Sequence, residues 1–217
     1  MPDHNTLADL TDRIDRLESR AEIRQLAFRY ALAVDMRDID AIVNLYVEDV
    51  RVTRVKQGRR ALKGVFSKVL RSFTASVHHV GNQIVEFDGP DTARGLTYCR
   101  CEHEVGRVWV PMYLYYLDTY ARINGRWYFR RRITSELYAV PSDEPPIGEK
   151  KMRWPGRPKV EGTWHAHFPS WREFWLDPDG DHNPVRPEAP TGGFLDDMRR
   201  GDRSVVFPDF SWAGVAK

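Results

Sequence analysis

Residues 21–50, AEIRQLAFRYALAVDMRDIDAIVNLYVEDV, decide how the chain is organised. Ile23, Leu26, Ala27, Tyr30, Ala31 and Val34 recur at the three- and four-residue spacing of one buried helical stripe. Asp35 continues that stripe, sharing a face with Tyr30, Ala31 and Val34 on 3.6-residue geometry. A carboxylate on an apolar helix face costs free energy unless it is paired or used. Asp38 then has the chemistry of an N-cap, and Ile39, Ile42, Val43, Leu45 and Tyr46 form the apolar side of a second helix. The pattern predicts a helix ending on an acid, a short turn, and a second helix.

The rest of the chain sets bounds around this unit. At 217 residues it is one domain, or one domain with an extension. The formal net charge is +2, and no Lys/Arg block stands apart from acids, so nucleic acid is not expected as a partner. No apolar run is long enough to span a membrane. The N-terminal residues lack the apolar core of a secretory signal, and the expected compartment is the cytoplasm. Cys99 and Cys101 stand two apart in a strand pattern and read as half-buried thiols, not as a disulfide or a zinc site.

Upstream, Asn5 or Thr6 is a candidate N-cap for a charged helix carrying Leu7, Leu10, Ile14 and Leu17 at three- and four-residue spacing. Its narrow apolar stripe is expected to pack on a partner subunit or on the body. Downstream, residues 50–53 read as a short strand, and residues 59–73 as a third amphipathic helix weakened by Gly64. From Ser76 the period changes to two. Strands are expected over 76–87, 92–105, 109–123 and 126–140, with Asn124-Gly125 a type I′ hairpin turn. Helices followed by hairpin-linked strands predict an α+β fold, the helices packed on one face of a curved antiparallel sheet. Beyond Pro141 the chain is rich in proline and holds five of the seven tryptophans (Trp154, Trp164, Trp171, Trp175 and Trp212). So many aromatics predict irregular structure lying on the body, with short helices near 169–176 and 194–200.

Several residues carry candidate chemistry. Asp35 needs a partner, and His78 and His79 are the available imidazoles. Neighbouring strand residues point to opposite faces, so only one of the two can meet the helices. A carboxylate on one ring nitrogen would fix the tautomer and leave the other nitrogen to exchange a proton with substrate. Tyr30, on the same helix face, could donate to a developing oxyanion. Tyr98, Arg100 and Glu102 share one strand face; Cys99, Cys101 and His103 share the other. Tyr116, Asp118 and Tyr120 share a face of the third strand, and Arg132 lies on the fourth. Periodicity alone does not say which faces point inward. His165 and His167 form an H-x-H pair with no acid or cysteine placed to complete a metal site. Residues 177–182 lack the closing glutamate of a calcium loop and read as a turn. Nucleotide-binding glycine motifs and serine-hydrolase motifs are absent from the sequence.

Three segments, SRAEIRQLAFRYALAVDMRDIDAIVNLYVEDV, VHHVGNQIVEFDGPDTARGLTY and YLDTYARINGRWYFRRR, resemble in order the SnoaL-like branch of the nuclear transport factor 2 fold superfamily. The resemblance covers roughly residues 15–140. It implies an α+β cone: a strongly bent antiparallel sheet wrapped by three N-terminal helices around a pocket, here followed by an irregular Pro/Trp-rich extension. The domain is therefore expected over 1–140 and the extension over 141–217, packed on the cone or on a neighbouring subunit. Relatives of this kind include scytalone dehydratase, hexachlorocyclohexane dehydrochlorinase, bile-acid dehydratase, polyketide cyclases, ketosteroid isomerase and lignin-dimer lyases. Several of the lyases use an Asp–His pair without a cofactor. The resemblance aligns Asp35 with that aspartate, and His78 with that histidine, four residues before Asn82. Tyr30 falls where the dehydratases have tyrosine and the dehydrochlorinase lysine, which speaks against dehydrochlorination. Arg132 falls on an arginine of the last strand.

The expected function is a cofactor-independent lyase. His78, Asp35, Tyr30 and Arg132 are the expected catalytic residues, with no metal. His79, Tyr98, Tyr116 and Asn82 are the expected substrate contacts. The substrate is expected to be hydroxylated and aromatic or polycyclic, losing water or a small carbonyl fragment such as formaldehyde. The protein is expected to be a homo-oligomer, a dimer or trimer. The alternatives are an isomerase or polyketide-type cyclase on the same fold, and a binding or assembly module without turnover.

Overall fold

A computed structural model describes residues 6–162, 165, 168–176 and 193–199. The N-terminal helix α1 runs unbroken over Leu7–Asp35. Thr6 caps it, its side chain accepting from the Asp9 amide. Asn5, the other candidate cap, lies outside the described residues. Ile23, Leu26, Ala27, Ala31 and Val34 are buried along one side, as their spacing requires. Arg37 follows with φ at 60°, a left-handed residue that stops the helix and turns the chain. Asp38 then caps α2 (Ile39–Asn44) by accepting from the Ala41 amide.

Helix α2 ends at Asn44, short of Leu45 and Tyr46 in the expected apolar stripe and of the end expected at Glu48-Asp49, because the chain there joins the edge of the sheet. Phe129 donates its amide to the Leu45 carbonyl, and Val47 donates to the Phe129 carbonyl. The short strand expected over 50–53 does not form. Val52 and Thr53 instead donate to the Lys56 carbonyl, and Gly58 donates to the Val50 carbonyl, so the segment closes on its own turn. Gly58, at φ +92°, supplies the backbone conformation this requires. Helix α3 (Arg59–Val69) follows, and residues Leu70–Ser72 tighten into a 3-10 turn.

Four strands then run as an antiparallel meander: β1 (Ala75–Phe87), β2 (Thr92–Val105), β3 (Val108–Ile123) and β4 (Arg126–Ala139). Asn124 and Gly125 both have positive φ, as a type I′ turn needs. Register shifts between Val80 and Gln83, Tyr113 and Leu114, and Thr119 and Tyr120 mark bulges. Each adds a residue on one side and bends the sheet. The sheet is open and curved, with the N-terminal helices on its inner face.

Ile23, Leu26 and Val34 of α1 pack on that inner face against Val85, Ala93, Tyr120, Trp127 and Phe129. Deeper along the same face lies an ion pair. Arg132 donates from Nε and Nη2 to Asp118 at 2.8 and 2.7 Å. Asp118 is fully buried and Arg132 nearly so. The guanidinium also lies 4.5, 4.0 and 4.2 Å from the ring centres of Tyr30, Tyr116 and Phe129.

The outer face is covered by the chain beyond β4. Leu96, Tyr115, Leu117 and Leu137 pack there with Phe168 and Leu195. Residue 168 leads into α4 (Pro169–Leu176), and Leu195 belongs to α5 (Phe194–Arg199). Arg94 holds α5 through a bidentate bond to Asp196, and Glu86 accepts from the Leu195 amide. Closer to β4, the Ala139 amide donates to Lys151 and Arg153 donates back to Ala139, so residues 151–153 run beside the strand end. The two short helices expected in the extension are thus present; His167, residues 177–182 and Trp212 lie outside the described residues. None of the described helices is long and apolar enough to cross a membrane.

The Asp118–Arg132 pair makes a stability prediction. Asp118→Ala strands a buried guanidinium, and urea unfolding should show a loss of about 3–5 kcal/mol. Replacing both partners, Asp118→Leu with Arg132→Met, should cost less than the single change.

Candidate active site

The last residue of α1 meets the start of β1. Ser76 and His78 alternate toward the helices, and Asp35 bonds to both. Its Oδ1 accepts from His78 Nδ1 at 2.7 Å and from Ser76 Oγ at 2.8 Å. Its Oδ2 accepts from the His78 main-chain amide at 2.8 Å. One carboxylate therefore fixes both the backbone and the ring of His78. Burial opposes its charge, but the bonds from the His78 ring and amide, the nearby imidazole and Ser76 outweigh this. The carboxyl is held below the usual aspartate range. With Nδ1–H turned to Asp35, Nε2 of His78 is the nitrogen left to exchange a proton.

Arg37 braces this arrangement from behind. Its Nη1 donates to Ser76 Oγ at 2.9 Å and to the Val34 carbonyl at 2.8 Å. Its Nη2 reaches the Phe73 and Thr74 carbonyls, and the guanidinium lies over the Phe73 ring. Ser76 is thereby kept pointing at Asp35.

His103 lies across from Ser76 on β2. Its ring stands edge-on to His78, with centres 5.8 Å apart. Phe73 and Trp154 pack on it at 4.7 and 5.1 Å. Burial, with the neighbouring His78 adding to it, holds the His103 pKa down at about 4, although the bond to the Val110 carbonyl works the other way. His103 is thus a neutral imidazole at neutral pH. Trp154 comes from the chain beyond β4 and meets both the Phe73 and the His103 rings edge-on.

Deeper on the same face, Tyr30 meets Tyr116, Phe66 and Phe129 edge-on. Burial pushes both the Tyr30 and Tyr116 hydroxyls up, so both remain protonated donors. Cys99 and Cys101 sit beside them, unbridged, with sulfurs 3.5 Å apart. Arg132 lies over both tyrosines, and its Nη1 is buried without a hydrogen-bond partner among the described residues. Glu136 shares this face of β4, and burial pushes its carboxyl up toward the protonated form.

Among the expected residues, the structure brings together Asp35 and His78 at the rim, and Tyr30, Tyr116 and Arg132 in the deeper part. Three expected substrate contacts lie elsewhere. His79 is exposed on the opposite face of β1, as alternation demands once His78 faces inward. Asn82 is exposed within the bulge between Val80 and Gln83, where the extra residues leave the ladder. Tyr98 faces outward, packs on Tyr115 and bonds through its hydroxyl to His165 Nε2 at 3.0 Å. Arg132 is also more enclosed than a ligand-facing arginine, because Asp118 and three rings already surround it. Ser76, Arg37, His103, Glu136 and Trp154 are additions. Strand parity with His78 marks Ser76, and parity with Arg132 marks Glu136. His103 follows once His78 is known to pair with Cys101. No local signal marks Trp154, which arrives through the path of the extension.

The comparisons bear on the fold. The family model described as SnoaL-like domain matches residues 15–133, and the chain belongs to that family. The fold is the helix-wrapped, curved antiparallel sheet of the SnoaL-like branch of the nuclear transport factor 2 fold superfamily. A Novosphingobium aromaticivorans protein assigned as a scytalone dehydratase is 22% identical, with a TM-score of 0.54 over 67% of this chain and 99% of its own. A type 2 hexachlorocyclohexane dehydrochlorinase is 22% identical, with a TM-score of 0.55 over 67% and 99%. The type 3 enzyme of Novosphingobium barchaimii is also 22% identical, with a TM-score of 0.56 over 60% and 94%. At this level of identity the likeness is one of fold. No curated protein matches the chain significantly.

The buried, neutral His103 makes a pH prediction. Its folded pKa of about 4 lies below the ordinary 6.5, so on acidification the unfolded chain takes up the proton first. Stability should fall as pH drops from 6.5 toward 4, by on the order of 2–3 kcal/mol from this group. His103→Phe should remove that part of the acid sensitivity in urea titrations. The stability from Asp35, whose carboxyl is depressed, should persist through this range and be lost only as pH falls through its own lowered pKa.

Proposed function

We propose that the protein is a cofactor-independent lyase acting on a hydroxylated aromatic or polycyclic small molecule. The observation that carries this reading is the Asp35 carboxylate, bonded at once to the ring and the amide of His78. That pairing fixes the tautomer and leaves Nε2 to take a proton from substrate, while Asp35 stabilises the imidazolium that forms. The electron pair released from the broken bond drives departure of the leaving group. In dehydration the C–H pair forms the new double bond while hydroxide departs and is protonated to water; when the proton comes instead from a hydroxymethyl O–H, that pair forms the C=O of formaldehyde, and the C–C pair left behind takes up the proton that His78 carries.

Donors for the leaving or developing oxygen are at hand. Tyr30 is held protonated, and Nη1 of Arg132 is a buried donor without a partner among the described residues. A buried unsatisfied donor is uncommon in native proteins, which supports a role toward a ligand. Phe73 and Trp154 beside His103 suit a planar apolar substrate. Cofactor independence rests on the acid/base pair sufficing for elimination.

The same observation favours catalysis over a binding module without turnover. The Asp35 carboxylate is engaged by His78 and Ser76, whereas Arg37 reaches only its main-chain carbonyl. We assign the domain to residues 1–140 and the extension to 141–217, with Trp154 as the extension's contribution to the site. A cytoplasmic location fits the two unbridged, adjacent thiols.

Asp35→Asn and His78→Ala should each lower kcat by about 10²–10⁴-fold while circular dichroism shows a folded chain. Near-full activity of both variants on the true substrate sinks the assignment. Mass spectrometry of the product should show loss of water or formaldehyde; an unchanged mass would mean isomerisation or cyclisation. Trp154→Ala should raise KM by about 3–10-fold, with Trp154→Phe closer to the parent, as expected for one lost aromatic contact.

A further inference from the structure

Helix α1 carries a second apolar stripe that the described residues of its own chain leave exposed. Ser19, Ile23, Leu26 and Ala27 face the body and are buried. Leu7, Leu10, Ile14 and Leu17 fall on the opposite side of the helix and are 82%, 40%, 56% and 67% exposed. Phe28 and Leu32 extend this apolar edge at 40% and 61% exposure. Scattered surface leucines need no explanation, but a continuous stripe on one helix marks an interaction surface. Leu7, Leu10, Ile14, Leu17 and Ala21 also alternate three- and four-residue steps, the core positions of a two-stranded coiled coil.

We propose that two copies of this chain associate through the first half of α1, paired parallel and in register. The flanking charges select this partner. Arg13 and Glu18 occupy the two positions beside the seam that face each other across a parallel pair. Arg13 of one copy meets Glu18 of the second copy, and symmetry makes the bond twice. Neither residue forms an ion pair with another described residue of its own chain. Antiparallel pairing would instead oppose Arg13 and Arg20 to their own kind. Arg24, at the next core position, ends the seam.

The helix is also preorganised for this contact. From Asp15 onward it is fastened to the body: Asp15 accepts from Arg122, Arg16 donates to the Gly89 carbonyl and Arg20 to that of Val85. Pairing therefore does not have to nucleate a helix, which removes the main cost of so short a coiled coil. Because the stripe is opposite the docked face, the two cones lie on the outer sides of the helix pair.

Light scattering and sedimentation of the full chain should show a concentration-dependent dimer. Ile14→Asp should raise its dissociation constant by about 100-fold, and Arg13→Glu or Glu18→Arg alone by about 5–10-fold. The exchange of both charges together should restore the parent value. Ile14→Cys should crosslink across the two copies under mild oxidation, since identical core positions face each other only in a parallel register. A chain that stays monomeric at about 100 μM, a dimer indifferent to Ile14→Asp, or failure of the charge exchange to rescue overturns the proposal. So does a monomer that dimerises only after residues 200–217 are removed, because the stripe's occupant is then the chain's own terminus. Melting curves of each variant check folding, and these exposed positions should tolerate substitution.

Discussion

One carboxylate joins the two halves of the cone. Asp35 ends the longest helix and takes hydrogen bonds from the ring and amide of His78 and from the hydroxyl of Ser76. An acid so placed on an apolar helix face needs such partners to offset desolvation. The same bonds therefore set the position of α1 on β1 and the orientation of the imidazole. Arg37, left-handed at the helix end, makes the turn and holds Ser76 in place. Stability and site geometry depend here on the same few atoms.

Charge on the inner face is arranged in two layers. At the rim, the anionic Asp35 lies beside His78, with neutral His103 behind it. In the core, Arg132 is neutralised by Asp118 and sandwiched among aromatic rings. Pairing keeps that arginine charged despite burial, and it holds Tyr30 and Tyr116 in the positive field of a guanidinium. The result is a set of protonated donors deep in the face and an imidazole held by Asp35 at the rim. The proposed elimination would use this polarity, with a base at one end of the substrate and hydrogen-bond donors at the other.

The extension does two separate things. Phe168 and Leu195 cover an apolar outer face that the meander alone would leave to water. Trp154, by contrast, reaches the inner side, because residues 151–153 run along the end of β4. Neither destination is visible in a segment read as irregular and aromatic-rich. Burial of its aromatics follows from composition, but which face they cover depends on where β4 releases the chain.

The three N-terminal helices, the Asp38 cap of α2, the four long strands and the Asn124-Gly125 hairpin were legible in the sequence alone, whereas the strand expected over 50–53 did not form and the cap of α1 was left between Asn5 and Thr6. The legible features are local properties, set by periodicity, capping and turn chemistry within a few residues. The sequence also offered His78 and His79 as partners for Asp35, but that contact joins distant parts of the chain and only the packing of α1 on β1 makes it. Tertiary structure decided that His78, not His79, turns inward, and that Cys99 and His103, not Tyr98, line the inner face. It also placed Asn82 in a bulge and enclosed Arg132 with Asp118. Each of these is a question of sheet parity or cross-strand partner. A bulge shifts parity by a residue without announcing itself in the apolar pattern, and a strand rich in tyrosine and charge on both sides offers no hydrophobic contrast to tell inside from outside.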